Sequence, residues 1–229
     1  MSNTSRFDPG LWAVVPIKNF DRAKERLAGI LTASERRCLF TAMLEDVLQT
    51  LSQCPALTGI VLVTREPQAQ ILGQRYGARS LIEQSNLGHT AASTLGARSL
   101  AANKGTSMLQ LPADVPLIKP DDINALILAH GNGPAITLAP SRDHRGSNAV
   151  LCTPPDLLPL QFGDDSFKPH LAASRALNIE PAVVERPGLA LDIDTPDDLV
   201  ALLETPSATR TCDYLRSSGI DNVFKQQKD

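Results

Sequence analysis

The chain has 229 residues, with 22 Lys and Arg against 25 Asp and Glu, so its formal net charge is −3. This length can bury a substantial core, and one domain is the default prediction. The near balance of charge excludes the strong positive field that attracts nucleic acid. No run approaches the roughly 20 apolar residues of a membrane span, and the first six residues lack the apolar core of a secretory signal. We therefore expect a cytoplasmic protein.

The cysteines and histidines of the chain are widely spaced. No Cys-x-x-Cys pair and no Cys and His pair has the spacing of a zinc site, and the pattern of cysteines does not indicate a disulfide framework. We expect reduced, mostly buried thiols, and we expect any metal ion to be bound by oxygen ligands. The cysteines are Cys38, Cys54, Cys152 and Cys212.

The first predicted element is a buried strand over residues 12–17, and it leads into a cationic loop. Its bulky and β-branched residues favour a strand, whereas the solvated side chains that follow cannot continue it. Open α/β sheets bind ligands at the carboxyl ends of their strands, so cations at this point favour a polyphosphate ligand. The loop extends from Lys18 to Ala28, and its cations are Lys18, Arg22, Lys24 and Arg26.

Beyond this loop, predicted helices and strands alternate, which is typical of a doubly wound α/β fold. The first helix begins at the capping box Thr32-Ala-Ser-Glu35 and ends before Pro55. We predict a domain core over about 11–204 and a C-terminal extension over 205–229, with a short helix plus either a loose tail or a dimer arm. The other predicted strands are 59–64, 78–82, 107–111, 135–139, 148–152, 182–185 and 190–193, and the other helices are 68–76, 90–102, 120–130, 167–177 and 196–203.

An acidic turn follows the predicted strand 107–111. In Leu111-Pro-Ala-Asp114-Val-Pro, a buried strand leads directly to an acid, and two prolines fix the turn around it. One interpretation places Asp114 in a functional site. The other is that Asp114 caps the turn through its own backbone, as Asp often does.

A second acidic segment contains Asp192 and Asp194, which lie two residues apart on a predicted strand, so both carboxylates leave the same face. Such close like charges repel unless a cation joins them, and Mg²⁺ favours carboxylate and phosphate oxygens. A magnesium site of Asp114, Asp192 and Asp194 is one interpretation. The alternative is that Asp194 caps the next helix and Asp192 is solvated. Asp197 and Asp198 are interpreted as first-turn acids of that helix.

Two further loops have features of anion-binding sites. The loop 143–149 contains Ser147 and Asn148, and the loop 162–170 contains Gly163 and Ser166, with Ser166 at the N-cap of a helix. Backbone N–H groups at such a position bind phosphate or carboxylate. Ordinary capped turns explain the same spacing, so both interpretations remain open.

A loop over residues 85–92 opens another helix, with Gly88 permitting close backbone approach and Thr90 as its cap. The sequence has neither G-x-G-x-x-G after the first strand nor the phosphate-binding motif G-x-x-x-x-G-K-[ST]. A phosphate ligand would therefore be bound by Lys and Arg side chains together with a metal ion.

Taken together, these motifs resemble one protein family, in consistent order from about Trp12 to Leu203. The sequence resembles the 2-phospho-L-lactate guanylyltransferases of coenzyme F-420 biosynthesis, which include phosphoenolpyruvate and 3-phospho-D-glycerate guanylyltransferases. The motifs are Val15-Pro-Ile-Lys18, Ala23-Lys24-x-Arg26-Leu27-Ala28, Gly88-x-x-Ala91-Ala92, Leu111-Pro-Ala-Asp114-Val-Pro116, Gly146-Ser-Asn148-Ala, Phe162-Gly-x-x-Ser166-Phe-x-x-His170 and Asp192-Ile-Asp194-Thr-Pro196.

The resemblance implies a three-layer α/β nucleotidyltransferase sandwich, Rossmann-like and of the GT-A type, with a mainly parallel sheet. It implies a cytoplasmic enzyme that moves GMP from GTP onto the phosphate of a three-carbon phosphoacid, releases pyrophosphate and uses Mg²⁺ or Mn²⁺. GTP and the phosphoacid are the implied partners, without nucleic acid, and a homodimer is one possible assembly. The alternatives are another nucleotidyltransferase of this fold, of the molybdenum-cofactor or sugar-phosphate type, or a noncatalytic GTP-binding module.

The resemblance also implies roles for individual residues. At positions 89 and 90 the chain has His-Thr, where the family commonly has an apolar residue and Asn. The implied metal ligands are Asp114, Asp192 and Asp194, and these acids with Lys18 and Lys24 are the implied catalytic residues. The implied nucleotide-binding residues are Lys18, Lys24, Arg26, Gly88 and Thr90, and the implied acid-binding residues are Ser147 or Asn148, Gly163 and Ser166.

Overall fold

The computed structural model of the chain describes residues 7–85 and 87–225. Its strands are β1 (Leu11–Pro16), β2 (Gly59–Val63), β3 (Arg79–Leu81), β4 (Ser107–Gln110), β5 (Ala135–Pro140), β6 (Ser147–Thr153) and β7 (Ala182–Val183). They form one sheet in the order β3-β2-β1-β4-β6-β5-β7. Neighbouring strands are parallel, except that β6 is antiparallel to β4 and β5. The predicted α/β class with a mainly parallel sheet is confirmed.

The helices are α1 (Ala33–Ser52), α2 (Pro67–Arg75), α3 (His89–Ala102), α4 (Pro120–Ala129), α5 (Phe167–Ala176), α6 (Pro187–Ala190), α7 (Pro196–Glu204), α8 (Arg210–Ser217) and α9 (Asp221–Lys225). Two short 3-10 turns, Phe20–Arg22 and Glu25–Leu27, lie in the loop after β1. Among the described residues, no helix is long and apolar enough to cross a membrane.

The helices cover both faces of the sheet. On β1, Ala13 and Val15 pack in one apolar cluster, with residues of α1, α2, α4, α7 and α8. Trp12 and Val14 point to the opposite face and pack in a second cluster, with residues of α3 and α5. Alternation along the strand thus produces three layers, and it explains why β1 is apolar at almost every position.

Local sequence signals account for several helix boundaries. The backbone N–H of Thr32 donates to the Glu35 carboxylate at 2.7 Å, and the N–H of Glu35 donates to the Thr32 hydroxyl. The predicted capping box is therefore confirmed. At α7, the backbone N–H and hydroxyl of Thr195 donate to Asp198. This contact confirms Asp198 as a first-turn acid, and Thr195 is the N-cap in place of Asp194.

One predicted strand is wrong. The segment 190–193 does not join the sheet, because Pro187–Ala190 forms the short helix α6 and residues 191–194 are irregular. Pro187 fixes a backbone angle suited to the first turn of a helix. This local preference produces a helical turn, although the apolar residues that follow it also suit a strand. The strand predicted over 182–185 is also shorter, since only Ala182–Val183 pairs with β5.

The register of the sheet brings two predicted site segments together. Val14 of β1 is aligned with Gln110 of β4 in a parallel pair. The chain segments that follow these strands therefore leave the same edge of the sheet side by side. One segment contains Lys24 and the other contains Asp114.

The C-terminal helices pack against their own chain. Cys212 and Leu215 of α8 lie in the same apolar cluster as Leu44 and Val47 of α1. The described part of the extension, 205–225, is therefore neither a loose tail nor a projecting arm. Residues 1–6 and 226–229, with Asn86 of the predicted Gly88 loop, lie outside the described residues.

Asp46 of α1 fixes the start of α8. Its buried carboxylate accepts hydrogen bonds from the backbone N–H groups of Arg210 and Thr211 and from the Thr211 hydroxyl, at 2.9, 3.0 and 2.6 Å. We expect Asp46→Ala to lower the free energy of unfolding by about 2 to 4 kcal/mol, because these donors lose their acceptor. Urea unfolding measures this change. Asp213→Ala is the control, since Asp213 is an exposed acid of the same helix, and equal stability of the two variants would contradict the expectation.

All four cysteines are free, and three of them are buried, which agrees with the prediction of mostly buried thiols. Cys38 is the exposed one.

Candidate active site

Two clefts lie beside each other, and both are lined by Asp194. The larger one, of about 740 Å³, we call the Lys18 cleft. The smaller one, of about 340 Å³, we call the Arg145 cleft. Polar lining residues of the Lys18 cleft include Lys18, Arg22, Lys24, His89, Asp114 and Asp194. Those of the Arg145 cleft include Arg26, Arg142, Arg145, Asp164, Asp192 and Asp194, with Gly146 and Gly163.

Lys24 joins the acidic segments where the clefts meet. Its ammonium Nζ lies 2.5 Å from Oδ2 of Asp114 and 2.7 Å from Oδ1 of Asp194. Lys24 is buried, which alone would lower its pKa, but the carboxylates of Asp114 and Asp194 outweigh burial and raise the pKa above its ordinary value. The residue also has a left-handed backbone, with φ of 57°. Such a conformation is unfavourable for a side chain larger than glycine, so tertiary contacts must hold it.

The two ion pairs are reinforced through the backbone. The N–H of Ile193 donates to the carbonyl oxygen of Asp114 at 3.0 Å. Ile193 itself is fully buried and lies between Asp192 and Asp194. This hydrogen bond therefore joins the segment that contains Asp192 and Asp194 to Asp114, although the segment is not a strand.

Asp194 is an ionised carboxylate. Burial disfavours its charge, but Lys24, with further contributions from Arg26 and Lys18, holds its pKa below the ordinary value. The guanidinium of Arg26 lies 3.9 Å from Asp194 and also donates to Asp164 at 3.0 Å. Capping by Asp194 of the following helix is not observed, since Thr195 takes that position.

Asp192 is held by Asn148. The Asn148 amide Nδ2 donates to Oδ1 of Asp192 at 3.0 Å and to the carbonyl oxygen of Leu189 at 2.8 Å. Burial, followed by repulsion from Asp114, raises the pKa of Asp192 to about 6. The amide of Asn148 thus orients Asp192, whose surroundings disfavour the ionised form.

The acids differ in how completely they are paired. Oδ1 of Asp114 is buried and has no hydrogen-bond partner among the described residues, whereas its Oδ2 is bonded to Lys24. Asp114 does not cap its own turn with either oxygen. Within 7–85 and 87–225, no group of three or more His, Cys, Asp or Glu side chains is arranged to hold a metal ion. The three-aspartate magnesium site stays a prediction.

The predicted acid-binding serines form a hydrogen-bonded group with His170. The backbone N–H of Ser147 donates to Oγ of Ser166 at 2.9 Å, and Oγ of Ser147 lies 2.9 Å from Nδ1 of His170. Ser166 occupies the N-cap position of α5, but its side chain does not cap the helix. The predicted N-cap position of Ser166 is therefore confirmed, while its hydroxyl accepts the hydrogen bond from the backbone N–H of Ser147 in β6.

His170 is neutral because it is buried, and burial lowers its pKa from 6.5 to about 4. As the pH falls through 6.5, His170 of the unfolded chain gains a proton, whereas His170 of the folded chain does not. The contribution of the neutral His170 to the free energy of unfolding is therefore fully present above this pH and is lost towards pH 4. Between pH 7 and pH 5, we expect the wild type to lose about 2 kcal/mol more unfolding free energy than His170→Asn. Urea unfolding at both pH values measures the difference. The wild-type pH dependence in His170→Asn would contradict the expectation.

The predicted loop at Gly88 reaches the Lys18 cleft, but Thr90 does not cap a helix. Gly88 is the N-cap of α3 with φ of 99°, a left-handed conformation that glycine adopts readily. The Thr90 hydroxyl donates to the carbonyl oxygen of Phe162 and accepts from its N–H. Thr90 thus attaches the loop containing Gly163 to α3, and a nucleotide contact by Thr90 stays a prediction.

Comparison with known sequences identifies the family. A sequence model of the family described as "Guanylyl transferase CofC like" matches residues 11–229. The chain belongs to this family. It is therefore a nucleotidyltransferase of the guanylyltransferase group.

Relatives of this guanylyltransferase have three different names. A phosphoenolpyruvate guanylyltransferase from Conexibacter woesei is 34% identical over 200 residues, which cover 87% of this chain and 90% of the relative. A 3-phospho-D-glycerate guanylyltransferase from Colwellia psychrerythraea is 33% identical over 195 residues, with coverage of 84% and 92%. A 2-phospho-L-lactate guanylyltransferase from Methanobrevibacter ruminantium is 27% identical over 220 residues, with 92% of each chain covered.

Solved structures confirm the predicted nucleotidyltransferase fold of the guanylyltransferase. A crystal structure from Desulfovibrio desulfuricans G20 has a TM-score of 0.76 at 16% identity, and the match covers 94% of this chain and 97% of that one. A nucleotidyl transferase from Methanothermobacter thermautotroptrophicus has a TM-score of 0.63 at 16% identity, with coverage of 91% and 99%.

Sequence reasoning missed several polar residues of the guanylyltransferase. It did not assign Arg142 and Arg145 to a cleft, and it did not anticipate that Asn148 holds Asp192. It also missed Gln110, whose fully buried amide lies 2.9 Å from Nε2 of His89. A polar residue directly after the buried apolar residues Met108 and Leu109 was the signal that could have drawn attention to Gln110.

Proposed function

We propose that this guanylyltransferase moves GMP from GTP onto the phosphate of a three-carbon phosphoacid and releases pyrophosphate, as a step in coenzyme F-420 biosynthesis. The phosphoacid is 2-phospho-L-lactate, phosphoenolpyruvate or 3-phospho-D-glycerate, which are the acids named in its relatives. The observation that carries the proposal is the pair of clefts that meet at Asp194, beside the Lys24 ion pairs. A transfer between two anionic substrates requires two such adjoining sites.

The Lys18 cleft suits the nucleotide. Its volume of about 740 Å³ is about twice the 340 Å³ of the Arg145 cleft, so it suits the larger substrate. Lys18 and Arg22 are exposed cations on its wall, where they can bind a triphosphate. Lys24, in contrast, is bonded to Asp114 and Asp194, so its principal role is to hold the acids, and its predicted contact with the nucleotide stays a prediction.

The Arg145 cleft suits the small phosphoacid. Arg142 is paired with Asp198 at 3.0 Å, and Arg26 is paired with Asp164. Arg145 has no ion pair among the described residues, so its guanidinium is available to a phosphate or carboxylate. Gly163 also lines this cleft, which supports the proposed contact of Gly163 with the acid.

In the reaction, a phosphate oxygen of the acid attacks the α-phosphorus of GTP, and the bond from that phosphorus to the pyrophosphate oxygen breaks. A phosphate monoester is already anionic at neutral pH, so no general base is needed. The difficulty lies in holding two polyanions together, and positioning with charge stabilisation supplies most of the catalysis. Lys18 and Arg22 stabilise the triphosphate and the leaving group, and Arg145 holds the attacking acid.

The residues fit a hard divalent cation such as Mg²⁺. Among the described residues, Oδ1 of Asp114 is buried without a hydrogen-bond partner, and Asp192 is repelled by Asp114 and Asp194. Mg²⁺ uses one or two carboxylates with phosphate oxygens and water, so Asp114 and Asp192 would hold it and Asp194 would lie beside it. When bound, such an ion would supply charge stabilisation and orientation of the phosphates.

The test is pyrophosphate release by the purified protein with Mg²⁺. GTP or ATP is combined with each of the three phosphoacids in turn, and a sample with chelator serves as the control. We expect release with GTP and at least one phosphoacid. No release with any pair would overturn the proposal, and GTP binding without release would favour the noncatalytic module. Pyrophosphate release only in reactions in which a molybdopterin or a sugar phosphate replaces the phosphoacid would favour the other nucleotidyltransferases.

Three further predictions accompany this function. The cytoplasmic location and the homodimer remain expectations for the enzyme. Fractionation of the source cells and sedimentation of the purified protein would test them. The division into a core over about 11–204 and an extension over 205–229 also remains an expectation.

A further inference from the structure

We propose that His170 is a positioning residue for the phosphoacid: it fixes the Ser147 hydroxyl as a hydrogen-bond donor towards the anionic oxygens of that substrate. The inference rests on the proposed function. His170 itself lies away from the reacting atoms, and it acts through Ser147.

The tautomer of His170 is determined by its neighbours. The backbone N–H of Gln161 donates to Nε2 of His170 at 3.0 Å, so Nε2 is an acceptor and carries no proton. The imidazole is completely buried and neutral, because burial lowers its pKa to about 4. A neutral imidazole has one N–H, which must therefore be on Nδ1. Nδ1 faces Oγ of Ser147 at 2.9 Å, so His170 donates and Ser147 accepts.

This bond leaves the hydroxyl proton of Ser147 available. The hydroxyl proton of Ser166 is also available, since its Oγ accepts a hydrogen bond from the backbone N–H of Ser147. Among the described residues, neither hydroxyl proton has an acceptor, although Ser147 and Ser166 are both buried. Neither serine itself lines the Arg145 cleft, but Ser147 directly follows Gly146, which does, and the bond from its N–H holds Ser166 beside it. Two adjoining hydroxyl donors match an anionic oxygen with several lone pairs.

The neighbouring Asn148 cannot provide this donor. Its amide nitrogen already donates to Asp192 and to the carbonyl oxygens of Leu189 and Ala190. Of the two adjacent candidates for contact with the acid, Ser147 therefore has the unused proton. Asn148 instead serves the acidic cluster.

Aromatic packing holds the imidazole in place. The His170 ring packs edge-to-face on Phe162, with centroids 5.0 Å apart. The backbone of Phe162 is held in turn by Thr90. The orientation of His170 in α5 is thus set by α3 and by the loop that contains Phe162 and Gly163, and Gly163 lines the Arg145 cleft.

A kinetic double-mutant cycle tests the proposal, with Ser147→Ala, His170→Leu and the double variant. We expect His170→Leu to raise KM for the phosphoacid roughly 10-fold and to leave KM for GTP within about twofold, which is the size expected for one misoriented hydrogen bond to a charged group. In the Ser147→Ala background, His170→Leu should add nothing further. His170→Asn, which keeps a donor near the Nδ1 position, should restore part of the affinity.

A matched control separates positioning from folding. His130 is another histidine bonded to two hydroxyl groups, those of Thr137 and Thr153. Unlike Ser147, neither threonine adjoins along the chain a residue that lines the Arg145 cleft. His130→Leu should lower the unfolding temperature and leave KM for the phosphoacid at the wild-type value. Additive effects in the cycle, or an unchanged KM in His170→Leu, would overturn the proposal.

The tautomer provides a test that does not depend on turnover. Nitrogen NMR of the wild type at neutral pH should show His170 protonated on Nδ1 and not on Nε2. A proton on Nε2, or on both nitrogens, would overturn the positioning role even in an active enzyme. Absence of turnover with every phosphoacid, in a protein with the expected tautomer, would instead overturn the proposed function.

Discussion

Asp192→Asn is expected to lower kcat by about 10²- to 10³-fold while the protein remains folded. The substitution keeps the shape of the side chain and an acceptor for the amide of Asn148. It removes the charge that would help to hold a divalent cation, and loss of one such electrostatic contribution has an effect of this size. The free energy of unfolding should be unchanged or higher, because a third carboxylate beside Asp114 and Asp194 is repelled by both.

Steady-state pyrophosphate release at saturating substrates measures kcat, and urea unfolding measures stability. Asp197→Asn is the matched control, since Asp197 is an exposed acid five residues further along the chain and lines neither cleft. It should have the wild-type kcat. Normal turnover by Asp192→Asn in the presence of Mg²⁺ would show that the metal assignment is wrong.

Lys24→Met is expected to lower both activity and stability. Methionine retains the apolar stem, but Asp114 and Asp194 lose the ammonium that lies between them. Removal of one partner from a buried ion pair typically costs about 3 to 5 kcal/mol, and we expect a loss in this range. Repulsion between the two acids should also move them apart, which would reduce kcat by about 10²-fold or more.

Lys104→Met is the control for Lys24→Met. Lys104 also has a left-handed backbone, with φ of 67°, but its side chain is exposed. The control therefore reproduces the change of residue type in the same backbone conformation without disturbing an ion pair. If the two variants had equal unfolding free energies and equal kcat, the structural role assigned to Lys24 would be wrong.

The elements that could be predicted from the sequence are those with local causes. The capping box at Thr32 fixes the start of α1 through contacts within four residues. Apolar alternation located the strands of the sheet, and helical periodicity located the helices that cover it, because both patterns reflect burial of nearby residues. The wrongly predicted strand at 190–193 is a segment of only four residues, one of them Asp192, and so short a segment cannot distinguish the periodicity of a strand from that of a helix.

The site could be predicted only in part. Asp114, Asp192 and Asp194 could be selected because acids directly beside buried segments are unusual, and the structure brings them together. The buried position of Lys24 could not be predicted, since it depends on two acids that lie 90 and 170 residues further along the chain. The bonds from Asn148 to Asp192 and from His170 to Ser147 span 44 and 23 residues, so no local pattern indicates them.

The central claim is that a phosphate oxygen of the acid attacks the α-phosphorus of GTP. Its most direct test is to supply the enzyme with GTP labelled either at the α- or at the γ-phosphorus, together with Mg²⁺ and the phosphoacid that supports turnover. We predict that the α-label appears in a product that contains the acid, and that the γ-label appears only in pyrophosphate. Transfer of the γ-label to the acid, or release of labelled GMP without an acid-containing product, would contradict the account.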